Sequence, residues 1–223
     1  MSQDNKDFYE ELINSLSGMG HIRPEEFPNI DLYMDQVTTF MSEHFTNEKS
    51  GPDDKILTKT MINNYAKDNL LPPPVKKKYS KDHMIVLLFI YYLKNILSIN
   101  DIQNIMNPLT ERFFGKDNTS TNMYDIYNNI YDIVKNELGY VSDDLTKKIE
   151  ASKESFADID NKEHQDFLQY FSLICMLSYD IYAKKQVLSM MVDKLKVEEN
   201  SKKEAEKKAD KKAEKKADKK AEK

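Results

Sequence analysis

Between residues 57 and 81, six lysines (Lys59, Lys67, Lys76, Lys77, Lys78 and Lys81) stand against a single acid, Asp68. Short polar side chains lie among them, Thr58, Thr60, Asn63 and Asn64, and Tyr79 closes the set. An ammonium group binds phosphate oxygens as a point charge. A side-chain amide sets a donor beside an acceptor, the pair needed for a bidentate contact with adenine in the major groove. The residue types therefore suit a polyanion that carries bases: lysines and the Tyr79 hydroxyl on phosphates would set register, and Thr60, Asn63 and Asn64 would read base edges. Composition alone also fits a solvated charge run. Spacing separates the two readings further, because steps of four place Lys59, Asn63 and Lys67 on one helix face while Ile62, Tyr65 and Ala66 fall on another.

The elements that must position these residues can be read from local signals. Thr58 is the expected N-cap of a helix over 58–69, and Asn69 tolerates the left-handed conformation that ends one. Leu70 and Leu71 then turn into a core, and Pro72, Pro73 and Pro74 hold the chain extended, so that Lys76, Lys77, Lys78 and Tyr79 form a short stiff projection with at most a two-residue ladder. Ser80 caps the next helix. Residues 84–93 are ten consecutive apolar or aromatic residues, which predicts a helix buried on nearly all sides as the central post of the domain.

The rest of the chain reads as further helices. Residues 7–16 predict a short packing arm capped by Asp7 and ended by Gly18 and Gly20, and 30–45 predicts a helix whose stripe includes Ile30, Tyr33, Val37, Met41 and Phe45. Residues 46–55 read as a surface loop around Gly51 and Pro52. Ser98 and Asp101 cap a brief helix that Asn107-Pro108 breaks. Thr121 opens a helix that Gly139 ends, an exposed amphipathic helix follows over 142–156, and the last long helix spans 161–197. The expected divisions are an N-terminal arm at 1–27, a domain at 28–108, a helical dimerisation or sensing region at 109–200, and a low-complexity Lys/Ala/Glu tail at 201–223. The fold class is all-α with a disordered or partly helical charged tail.

Charge and composition exclude several functions. The net charge is -5, yet residues 201–223 hold 11 lysines and 6 acids, so residues 1–200 carry about -10, and the local lysine patch is an exception on an acidic body. One cysteine, Cys175, rules out a disulfide framework and a clustered thiol metal site. No apolar run reaches about 18 residues and the first residues are acidic, so the expected location is cytoplasmic, with no membrane span. His21, His44, His83 and His164 are scattered, with no zinc-protease spacing, glycine-rich phosphate loop or nucleophile elbow. The reading is of a protein with no catalytic residues, no metal and no cofactor.

Residues 58–62, Asn63-Asn64-Tyr65, Leu70-Leu71-Pro72-Pro73, Tyr79-Ser80, Phe89-Ile90 and the run Leu97-Ser98-Ile99-Asn100-Asp101-Ile102 resemble the DNA-binding domain of the MerR family of transcriptional regulators. In that family the matching segments are a recognition helix, its leucine-proline exit, a wing and the helices behind it. Here the usual Arg-Tyr before the tyrosine is Asn63-Asn64, the wing is cut to Val75-Lys76-Lys77-Lys78, and a loop takes the place of the helix that should directly precede Thr58. Residues 28–106 are also similar to an uncharacterised bacterial family, common in Gram-positive species, known only as a domain of unknown function. The resemblance implies a MerR-like helix-turn-helix domain with a minimal wing, acting as a DNA-binding transcriptional regulator. Its partners would be double-stranded DNA, a second copy in a homodimer and an unidentified small-molecule effector. The implied DNA-contacting set is Thr58, Lys59, Thr60, Asn63, Asn64, Lys67, Lys76, Lys77, Lys78 and Tyr79. A helical protein-interaction module that kept the fold and lost sequence-specific DNA binding is the alternative.

Overall fold

The computed structural model describes residues 3–17, 22–45, 56–116 and 120–221. In chain order the elements are α1 (Gln3–Ser17), a 3-10 turn (Pro24–Glu26), β1 (Leu32–Tyr33), α2 (Met34–His44), α3 (Lys59–Lys67), β2 (Lys78–Tyr79), α4 (Lys81–Lys94), α5 (Ile99–Phe113), α6 (Met123–Val134), α7 (Glu137–Glu154) and α8 (Lys162–Ala221). The fold is all-α, and β1 and β2 make a two-stranded antiparallel ribbon with Leu32 opposite Tyr79 and Tyr33 opposite Lys78.

α4 is the post around which the larger core is built, as its unbroken apolar run predicts. His83 through Leu88, Ile90 and Tyr91 are all buried, and Val37 and Met41 from α2, Phe45 just beyond its end, Ile62 and Tyr65 from α3, and Ile102 and Met106 from α5 join the same cluster. That cluster does not stop at residue 28 or at 108. Ile22 and Phe27 enter it from the N-terminal side, Met123 and Tyr127 from α6, and Val192 from α8. The Tyr127 hydroxyl donates to the Ile22 carbonyl, and its ring meets Phe27 edge-on at 5.1 Å. Burial pushes the Tyr127 hydroxyl well above the ordinary tyrosine range, so it stays a donor at any ordinary pH. A smaller core joins α1, α7 and α8 through Tyr9, Leu145, Ile149 and Leu173. The C-terminal half of α8 is tied to α5 by Lys196–Asp101 at 2.8 Å and Arg112–Glu199 at 2.5 Å.

Several expectations from the sequence are corrected. The second helix starts at Met34 rather than Ile30, because Leu32 and Tyr33 pair with β2; Ile30 and Tyr33 are exposed. α5 runs through Pro108 to Phe113. Packing of Met106, Leu109 and Phe113 on the core outweighs the single backbone bond the proline removes, and Thr110 Oγ1 bonds the carbonyls of Met106 and Asn107. The break after α6 falls at Lys135–Asn136, with Asn122 rather than Thr121 as N-cap, and Gly139 sits inside α7. α1 begins at Gln3, so Asp7 lies within it rather than capping it, and α8 continues as helix to Ala221. The expected stop at Gly18 and Gly20 and the loop at 46–55 lie outside the described residues. Among the described residues no helix is long and apolar enough to cross a membrane, and no group of three His, Cys, Asp or Glu side chains could hold a metal ion.

Candidate nucleic-acid interface

α3 begins as its sequence requires. Thr58 has extended backbone and its Oγ1 accepts the Met61 N–H at 3.1 Å, satisfying one of the free donors of the first turn. Ile62 and Tyr65 are buried, which turns Lys59, Thr60, Asn63, Asn64 and Lys67 outward, all exposed. At the other end Asn69 takes a left-handed conformation, φ 56°. The Leu70 and Leu71 N–H groups then both reach the Tyr65 carbonyl, at 2.8 and 3.0 Å, and this reversal drives both leucines into the core.

Beyond the three prolines the lysines form the tip of a hairpin rather than an extended projection. Val75 and Lys78 exchange both backbone hydrogen bonds, Val75 N–H to Lys78 O at 3.1 Å and Lys78 N–H to Val75 O at 2.9 Å. Lys76 and Lys77 occupy the two central positions at φ 50° and 65°. Two successive positive φ angles define the mirror-image turn that matches strand twist, and Asn-Gly is its preferred sequence. Each lysine there costs about 1 kcal/mol relative to ordinary backbone, so two cations are held at the tip against a local preference. Both are exposed. Register then alternates the sides of the ribbon: Leu32 and Tyr79 face inward, Tyr33 and Lys78 outward, with Lys78 Nζ 5.3 Å from the centre of the Tyr33 ring.

One member of the expected contact set is withdrawn from the surface. Tyr79 is only 3% exposed and packs edge-on to His83 at 5.5 Å, so it anchors the ribbon to α4 and offers no hydroxyl to a phosphate. His83 explains how the leg before the hairpin is held. Its Nδ1 accepts the Ser80 N–H at 3.0 Å, the role a glutamate takes in a capping box, and lies 2.8 Å from Ser80 Oγ; its Nε2 is 3.4 Å from the Pro73 carbonyl. The acceptor role at Nδ1 requires the neutral ring, and burial lowers the His83 pKa accordingly.

Charges sort the remaining lysines. Lys59 pairs with Asp35, the second residue of α2. Lys81 donates to Asn29 Oδ1 at 2.7 Å and covers the Tyr124 ring, so it supports the frame. Lys67, Lys76 and Lys77 are exposed and engage no ion pair among the described residues. The Asp35–Lys59 contact ties the start of α3 to the start of α2, and β1 immediately before α2 pairs with the hairpin. α3 and the lysine tip are therefore two outward parts of one frame.

Residues 22–129 match a family described as Domain of unknown function (DUF1836). No curated protein and no solved structure matches the chain. The matched span begins where the larger core begins, at Ile22, and closes within α6 just after Tyr127, the residue that bonds back to the Ile22 carbonyl. It contains β1, α2, α3, the hairpin, α4 and α5, and leaves out α1, α7 and α8. The family span thus holds every buried residue of the α4-centred cluster except Val192 of α8.

Sequence reasoning missed Tyr33 and Asp35. Both belong to a segment whose apolar spacing imitates helix, and only pairing with a strand 45 positions later, Tyr33 with Lys78, places them beside the lysines. The alternation of Leu32 and Tyr33 was too short to carry a strand signal.

Proposed function

We propose that the chain is a DNA-binding regulator that acts as a dimer, with α3 in the major groove and the Lys76–Lys77 hairpin tip on the flanking phosphates. The observation that carries this reading is the tip: two unpaired lysines held at left-handed backbone on the frame that presents the polar face of a capped helix. Strain retained at an exposed cationic turn fits a docking role better than a solvated charge run does. Asn63 and Asn64 are free to reach base edges and Thr60 stands beside them. Lys67, Lys76 and Lys77 would neutralise phosphates, so the logarithmic salt dependence should have a slope of roughly -3 per chain, shallower than five lysines would give.

Fluorescence anisotropy with labelled duplex DNA from the source genome tests the reading. Binding that weakens with salt at about that slope, and that Lys76→Glu with Lys77→Glu reduces at least about tenfold, supports it. Equal binding by both proteins, or salt-insensitive binding, would overturn it. A second reading has its own observation: Ile30, Tyr33 and Val75 are exposed apolar side chains on and beside the same ribbon, which suits a protein partner. Under that reading DNA binding is absent and Tyr33→Ala, not the lysine pair, weakens the interaction.

A further inference from the structure

The first half of α8 carries an apolar stripe that other elements touch only at its edge, where the Tyr170 ring meets Phe8 of α1 with centres 6.0 Å apart. At about 100° per residue, Phe167, Tyr170, Phe171, Ile174, Ile181 and Tyr182 fall within about 60° of one line along the helix, and all six are exposed. Phe167 and Phe171 stack with ring centres 6.3 Å apart and planes 13° from parallel. The opposite side of the same helix packs Leu173, Met176 and Leu177 against α1 and α7, so the stripe is the side left over after the chain has folded. With Phe167 65% and Ile181 67% exposed, and an aromatic side chain presenting roughly 200 Å², the stripe exceeds the few hundred Å² usual for a lone patch. It approaches the roughly 800 Å² per partner of a stable interface.

Its ends are oppositely charged. Glu163 lies on the same line one turn before Phe167, and Lys185 lies on it one turn after Ile181. Both are exposed and neither engages an ion pair among the described residues. Ile174 is midway between them. A second α8 laid antiparallel about a two-fold axis at Ile174 therefore sets Phe167 against Ile181 of the other copy and Glu163 against its Lys185, at both ends at once. Parallel pairing would instead oppose Glu163 to Glu163 and Lys185 to Lys185.

We propose that this stripe is a homodimer interface in which α8 pairs antiparallel with α8 of a second copy, centred at Ile174. The proposal deepens the dimer part of the reading above and needs no DNA. Cys175, the only cysteine and exposed, stands next to the axis and on the same side in both copies, so the two thiols come close.

The test uses the full chain without DNA. Light scattering should give twice the 26.1 kDa chain mass, and a short bis-maleimide should cross-link Cys175 to Cys175. Ile181→Glu should give monomer with unchanged helicity by circular dichroism. Lys185→Glu should raise the dimer dissociation constant about tenfold, since symmetry counts the pair twice, and Glu163→Lys in the same chain should restore it. A monomeric wild-type chain, or a dimer indifferent to both Ile181→Glu and Lys185→Glu, would overturn the proposal. A chain that dimerises in this way without binding DNA counts against the DNA reading alone, and a monomer that binds DNA counts against the pairing and the dimer part of that reading while leaving its DNA contacts standing.

Discussion

The unit built on α4 and the bundle of α1, α7 and α8 differ in how much apolar surface they hide. In the first, α2, α3, α5, α6 and the arm beginning at Ile22 enclose α4 so fully that an unbroken run from His83 to Leu88 is buried, and what α3 turns outward is Thr60, Asn63, Asn64 and lysine. In the second, four buried residues make the core, while Phe167, Tyr179, Ile181 and Met190 of α8 stay in solvent. A unit that encloses its central helix and presents polar and cationic groups from α3 and the hairpin tip, with Ile30, Tyr33 and Val75 the exposed apolar side chains beside them, is equipped to meet a hydrated, charged ligand. A helix that leaves aromatic rings exposed is equipped to meet another apolar surface. The family match covers only the first unit.

The largest test of this contrast is core truncation. Leu87→Ala should destabilise by about 3 kcal/mol or more in urea unfolding, because Leu87 has no exposed surface and its truncation removes buried contacts at the centre of the larger core. Ile149→Ala in the smaller core should cost less, about 2 kcal/mol. Equal losses would erase the distinction between the two units. Next comes Tyr127→Phe, which leaves the Ile22 carbonyl buried without its donor and should cost about 1–2 kcal/mol; no loss would detach the Ile22 arm from the α4 unit.

The hairpin offers a sharper comparison, because stability and binding should move in opposite directions. Replacing Lys76 by Asn and Lys77 by Gly supplies the residues that the turn prefers, so the fold should gain about 1 kcal/mol. The salt slope of DNA binding should fall by roughly 2 per chain as two phosphate contacts go. A gain in stability with unchanged binding would leave the strained lysines without a role.

Acid titration gives a smaller, distinct signal. The folded pKa of His83 is lowered by burial, so the unfolded chain takes up its proton first as pH falls. The stability that neutral His83 contributes is present above the unfolded value of 6.5 and is lost as pH falls toward the folded pKa. Hydrogen bonds to the Pro73 and Pro72 carbonyls, and after them the Asp31 charge, oppose the shift without reversing it. His83→Gln, which keeps an acceptor for the Ser80 N–H, should flatten that part of the stability profile, and an unaltered profile would assign it to other groups. The smallest effect belongs to Arg112→Gln, because the Arg112–Glu199 pair is half open to solvent on the arginine side and screened there, so urea unfolding should barely move.

The parts legible in the sequence share a physical cause: their signals are local. Thr58, Ser80 and Ser98 stand as N-caps where expected, Asn69 takes the left-handed turn, Leu70 and Leu71 enter the core, and α4 is buried because ten apolar residues in a row leave no polar side. A cap, a left-handed stop or an apolar run acts within about one helical turn, so residue type is enough to reveal it. Tertiary structure decided the rest, because there the deciding partner lies far along the chain. Whether Leu32–Tyr33 is helix or strand depends on Lys78–Tyr79, whether Tyr79 meets solvent depends on His83 and α4, and whether Lys59 is free depends on Asp35. Pro108 fails to end α5 because long-range burial of Met106 outweighs a local rule.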